Sequence, residues 1–223
     1  MRAVIFDLDG TVADTSGDLI NAANACFRDL GLGDLLSKES DRLTALRGGR
    51  AMLTLGFSRA EGFGEADILE QYPKLLAHYG AHIADETVLY PGVAAAVEGL
   101  RTEGYSIGIC TNKPEGLAEK LMQNLGVRDA FAALVGADTL PVRKPDPEPL
   151  FEAARRTGGT PSRCCLVGDS DTDRNTAKAA GVPSILVTFG PSGEDMAALQ
   201  PEALIDSYAD LPDVVDRLFA TRV

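Results

Sequence analysis

From Leu89 onward, short apolar runs of strand length alternate with segments of helical periodicity, and that alternation leaves few folds open to the chain. Strand-type runs fall at Tyr105–Cys110, Ala133–Val135, Cys164–Val167, Ser184–Val187 and Ala203–Ile205. Pro91-Gly92 opens a helix with Val93, Val97 and Leu100 inward, closed by Gly104. Pro114 opens another, with Leu117, Leu121 and Leu125 on one face and Gly126 at its end. Pro149–Arg156 and Thr172–Ala180 read as two more, and a last helix follows the final strand. The run Ala3–Phe6 adds a strand at the start. Strand, helix, strand in succession means a parallel sheet with helices on both faces, so the predicted fold class is α/β: a doubly wound, Rossmann-like sheet.

The segment between the first strand and Leu89 has a different texture. Leu19, Ala22, Ala23, Cys26, Phe27 and Leu30 recur at helical spacing until Gly31. From Leu32 to about Glu86 the pattern is helical and amphipathic, broken at Gly48-Gly49 and Gly62–Gly64, with no strand-like run. A face of Ile68, Tyr72, Leu75, Leu76 and Tyr79 contains Pro73, which is expected to kink that helix or move its start. The expected organisation is an α/β catalytic core of residues 1–14 and 89–223, with an all-helical cap, residues 15–88, inserted over the first loop. Pro141, Pro145, Pro147 and Pro149 lie between a strand and a helix of the same core and read as a rigid loop, not a linker.

Charge narrows the partners. A net charge of −12 excludes the broad basic surface that nucleic acid or an anionic membrane would require. An acidic protein that binds an anion must supply positive charge locally, from a metal ion, a few lysines or arginines, or helix N-termini. Cys26, Cys110, Cys164 and Cys165 have no C-x-x-C spacing and read as buried thiols in a reducing compartment. The strand at residue 3 leaves no room for a signal peptide, and no apolar stretch is long enough to span a bilayer, so a cytoplasmic location is expected.

Polar residues cluster just after the strands. Asp7 and Asp9 follow the first, two residues apart, so extended backbone turns both to one side; Gly10 and Thr11 come next. Two carboxylates held so close repel unless a cation or shared proton resolves them, and a divalent metal does so. A calcium loop is excluded, because an EF-hand needs Gly sixth and Glu twelfth, whereas Gly10 is fourth from Asp7 and Asp18 twelfth. Thr111-Asn112-Lys113 follow the second core strand, Lys144 lies after the third, and Gly168-Asp169-Ser170-Asp171-Thr172-Asp173 follow the fourth. In an open parallel sheet these loops share the carboxyl edge, where ligands bind. Carboxylates, a hydroxyl and a lysine so placed suit phosphoryl transfer through a covalent intermediate.

The ordered set F-D-L-D-G-T at 6–11, T-N-K at 111–113, R-K-P at 143–145 and G-D-S-x-x-D at 168–173 resembles the haloacid dehalogenase superfamily of phosphatases. The resemblance covers essentially the whole chain. It implies that Asp7 is the nucleophile and Asp9 the acid and base. It further implies Mg2+ held by Asp7, the main-chain carbonyl of Asp9 and Asp169, with Asp173 supporting the metal. Thr111 and Lys144 would bind phosphoryl oxygens, and Asn112 would help to hold substrate. Asp9 argues against the dehalogenases and phosphonate hydrolases of the superfamily, which lack an acid there. Gly181-Val182-Pro183, Thr188-Phe189-Gly190 and Ile205-Asp206-Ser207 with Leu211 look most like the phosphoglycolate phosphatase branch, which implies 2-phosphoglycolate as the small phosphorylated substrate.

In the cap, Arg47-Gly48-Gly49-Arg50 joins two helices through paired glycines and could place a guanidinium against an anionic tail, or simply form a solvated turn. His78 and His82 have the spacing of two metal ligands but no evident third, and read as structural. Two other functions share these ingredients: a sugar phosphomutase on the same scaffold, and a non-catalytic phospho-aspartate signalling domain. The latter uses its acid pair, hydroxyl and lysine in another strand order and has no cap.

Overall fold

The protein is described here by a computed structural model covering residues 1–190 and 193–220. The backbone divides into two compact units, residues 1–13 with 89–223 and residues 14–88. Eight strands occur among the described residues: β1 Ala3–Phe6, β2 Ala13–Asp14, β3 Val88–Leu89, β4 Ser106–Cys110, β5 Ala133–Val135, β6 Cys164–Gly168, β7 Ser184–Val187 and β8 Ala203–Ile205. Six of them form one sheet in the order β5-β4-β1-β6-β7-β8, and every neighbouring pair is parallel. β2 and β3 pair separately, at the two points where the chain passes between the units.

The sheet is a consequence of its sequence. β1, β4, β5, β6 and β7 are buried along their whole length, which explains why they read as continuous apolar runs with no alternation. On one face Ala3, Ile5 and Leu166 pack against Leu150, Ala153 and Ala154 of the helix Glu148–Arg156 and Ala177 of the helix Asp171–Ala180. Alternation turns Phe6 to the other face, where its ring meets Phe131 edge-on at 5.9 Å. Strand order runs outward from β1 through β4 to β5, then resumes on the other side of β1 with β6. The reversal lies between β1 and β6, so their carboxyl ends flank the crevice typical of doubly wound sheets.

Unit 14–88 contains the helices Ser16–Asp29, Arg42–Leu46, Gly49–Phe57 and Glu65–Ala81. It departs from the expected helical run in two ways. Residues 30–41 are irregular, held by side chains instead: Asn24 accepts from the Leu35 and Leu36 N–H groups and donates to the Leu36 carbonyl. Second, Pro73 does not delay the start of its helix, which runs from Glu65 to Ala81 with the proline inside it. Pro73 is exposed, as is Leu69, whose carbonyl would otherwise bond residue 73, so water can satisfy the freed group. Buried Asp18 accepts from the Glu86 and Thr87 N–H groups and from the Thr87 hydroxyl, fastening the first helix to the end of the unit.

Candidate active site

The Asp7 N–H continues the ladder of β1 by donating to the Val167 carbonyl at 2.8 Å, which pins its backbone beside the end of β6. The Leu8 N–H donates to Asp7 Oδ1 at 2.7 Å. Gly10, at φ +82°, then turns the chain, a conformation that a side chain would strain. Lys144 reaches in from the loop after β5 with its side chain only 2% exposed, and its Nζ lies 3.0 Å from Asp7 Oδ1 and 2.7 Å from Asp173 Oδ1. Asp169 follows β6, and its Oδ1 accepts from the Thr11 hydroxyl at 2.8 Å. The Thr11 carbonyl in turn accepts from the buried Tyr208 hydroxyl at 2.7 Å.

Asp173 is placed by a helix start. Ser170 caps the helix Asp171–Ala180, accepting from the Asp173 N–H at 3.3 Å, while its hydroxyl donates to Asp173 Oδ2 at 2.6 Å. A Cβ on Gly168 would lie 2.4 Å from Asp173 Cγ, so only glycine lets the strand end pass so close to this carboxylate.

Electrostatics follow from burial. Loss of water pushes the Asp7 carboxyl up to about 6, opposed by Lys144 and reinforced by Asp173 and Asp9. Burial, then Asp173 and Asp7, hold Asp169 well above the usual carboxylate range. Burial works against the Lys144 ammonium, yet Asp173 and Asp7 outweigh it and keep the lysine protonated. Oxygens of Asp7, Asp169 and Asp173 lie within 4.8 Å of one another. Three carboxylates facing one ammonium leave negative charge uncompensated, and an all-oxygen donor set of this kind fits a hard divalent cation.

The other residues singled out in the sequence are placed as follows. The Thr111 hydroxyl accepts from the Lys113 N–H at 3.1 Å, which leaves its own proton to donate. The Asn112 amide donates to the Lys144 carbonyl at 3.0 Å and so braces the loop that carries the lysine. The Asp9 carboxylate is outside the three-aspartate group, with Oδ1 accepting from Lys113 Nζ at 2.7 Å. Arg47 and Arg50, in the helical unit, are exposed; Arg50 pairs with Glu65. His78 and His82 do not converge: one meets Asp29, the other Asp85. Lys113, Thr11, Ser170 and Tyr208 have no assigned role in the sequence reading. The first three lie inside the strand-end motifs and were findable there, whereas Tyr208 carries no local signal. Phe189 packs its ring between Tyr90 and Tyr208, at 5.0 and 5.2 Å between centroids.

The sequence matches the haloacid dehalogenase-like hydrolase family over residues 4–187, and the chain belongs to that family. The phosphoglycolate phosphatase of Agrobacterium fabrum is 37% identical over 216 residues, covering 96% of this chain and 92% of that protein. Among solved structures, a predicted phosphoglycolate phosphatase from Haemophilus somnus 129pt superposes with a TM-score of 0.82 at 25% identity, over 96% of this chain and 97% of that one. CbbY from Rhodobacter sphaeroides in complex with phosphate gives a TM-score of 0.78 at 25% identity, over 97% and 99% of the two chains.

Proposed function

We propose that this phosphatase hydrolyses 2-phosphoglycolate through an aspartyl phosphate on Asp7. The observation that carries the reading is the convergence of Asp7, Asp169, Asp173 and Lys144 at the carboxyl edge between β1 and β6. The relative from Agrobacterium fabrum, named for that substrate and aligned over nearly its full length, supports the choice.

Asp7 attacks phosphorus with one carboxylate oxygen as the bond to the glycolate oxygen breaks, and Asp9 delivers a proton to that oxygen. Asp9 then takes a proton from water as the water oxygen bonds to phosphorus and the bond to Asp7 breaks, releasing inorganic phosphate. Lys144 and the Thr111 hydroxyl neutralise and orient the phosphoryl oxygens, the positioning and charge stabilisation that dominate such transfers. Asp7, Asp169 and the Asp9 main-chain carbonyl would hold Mg2+, with Asp173 supporting them; when bound, the ion supplies charge stabilisation to the phosphoryl oxygens. A cytoplasmic setting belongs to the same reading, supported by four cysteines that are all buried thiols.

A phosphate-release assay over a panel of small phosphorylated metabolites, with Mg2+ and with chelator, tests this. Release from phosphoglycolate in preference to sugar phosphates, abolished by chelation, is expected. Transfer of the phosphoryl group to a sugar in place of water would identify a mutase.

A further inference from the structure

We propose that Lys113 is a positioning residue for Asp9, holding the acid and base carboxylate in the one orientation that serves the reaction. The inference rests on the acid–base reading of Asp9. Asp9 lies past the end of β1, its backbone bridged to Ala13, and its side chain is 16% exposed. A carboxylate there has several staggered orientations open to it, yet proton delivery needs one.

Lys113 supplies the restraint. Its ammonium lies 2.7 Å from Asp9 Oδ1, and its side chain is 4% exposed. A buried ammonium requires a charged or strongly polar partner, so desolvation drives the contact. The lysine backbone is itself fixed at both ends: its N–H donates to Thr111 Oγ1 at 3.1 Å, and its carbonyl accepts from the Ala137 N–H at 2.9 Å. The ammonium therefore projects from a clamp spanning the loops after β4 and β5, and fixing Oδ1 sets where Oδ2 sits.

The test compares Lys113→Met, which keeps the apolar stem, Lys113→Arg, which keeps the charge, Asp9→Asn and the double variant Asp9→Asn/Lys113→Met, each checked by thermal melting. Substrates are phosphoglycolate, whose alkoxide needs a proton to leave, and p-nitrophenyl phosphate, whose phenolate does not. Lys113→Met is expected to lower kcat for phosphoglycolate by about 100-fold, the scale of a lost acid–base contribution, with KM little changed. Single-turnover cleavage of p-nitrophenyl phosphate should fall far less, Lys113→Arg should recover part of kcat, and the double variant should be no slower than Asp9→Asn. Equal losses on both substrates, a loss confined to KM, or additive losses in the double variant would overturn the role. Wild-type turnover by Asp9→Asn would instead remove the acid–base reading, whereas impaired Asp9→Asn beside unimpaired Lys113→Met rejects Lys113 alone.

Discussion

As the proposed nucleophile, Asp7 would combine two properties that pull against each other: it would have to be ionised to attack, and it sits where ionisation is disfavoured, its carboxyl raised to about 6 by burial. Asp7→Asn should therefore abolish turnover, by several orders of magnitude, while leaving the metal-free protein at least as stable as the wild type. The sign of the pH effect follows. Between the ordinary carboxylate value and about 6 the folded protein keeps a proton that the unfolded chain releases, so this group's contribution to stability declines as pH rises through that window. Melting scans without metal should show the decline in wild type and a weaker one in Asp7→Asn; identical slopes would reject the assignment. Specificity is open to the same kind of test. If a guanidinium reads the substrate carboxylate, Arg47→Ala should weaken phosphoglycolate hydrolysis by about 2–5 kcal/mol while p-nitrophenyl phosphate loses much less. Arg50 is already paired with Glu65, so Arg50→Ala should cost less than Arg47→Ala. No loss in either variant would place the determinant elsewhere.

Among the elements, the irregular stretch after the first helix depends on one carboxylate. Asp41 takes two hydrogen bonds from Arg59 at 2.7 Å and one from the Ser37 N–H, also at 2.7 Å, while Arg59 donates to the Leu35 carbonyl. The Arg59 hydrogen bonds hold the Asp41 carboxyl below its usual range, against the effect of its burial. Asp41→Asn should cost about 1–3 kcal/mol near neutral pH, as for lost hydrogen bonds to a charged group. The gap between variant and wild type should shrink as pH falls below the ordinary carboxylate value, because the wild type then loses the same interaction. A gap independent of pH in urea titrations would count against it. This stretch was not legible in the sequence, since its order comes from side chains of Asn24, Asp41 and Arg59 with no periodicity of their own. The core strands were legible, because full burial on both faces demands uninterrupted apolar runs such as Ala3–Phe6 and Cys164–Gly168. Parallel strands also explain why Asp7, Lys144 and Asp169 could be expected at one edge from their positions alone. The Lys113–Asp9 contact was hidden, because side-chain direction beyond a strand end is set by the loop.

At the scale of the whole molecule, a metal bound only by the folded chain must raise its stability. Mg2+ at one hundred times its dissociation constant should add about 2.7 kcal/mol, read as a shift of the calorimetric transition that chelator reverses. Ca2+ should shift the transition too but inhibit turnover, since it takes longer bonds and more ligands than Mg2+. Full turnover with Ca2+ would mean that the acidic cluster has another purpose. The central place of β1 carries a further consequence, for the order in which the chain acquires structure. β1 leaves the ribosome well before its two partners, β4, beginning at Ser106, and β6, beginning at Cys164. Residues 14–88 can fold on local contacts in the interval, and the pairing of β2 with β3 at their ends draws the chain's two crossing points together. The insertion then acts as a folded clip that shortens the loop to be closed when β1 meets β4. Until β6 emerges, this wholly apolar strand keeps one unpaired edge, and the nascent chain is most exposed to misassociation over that span.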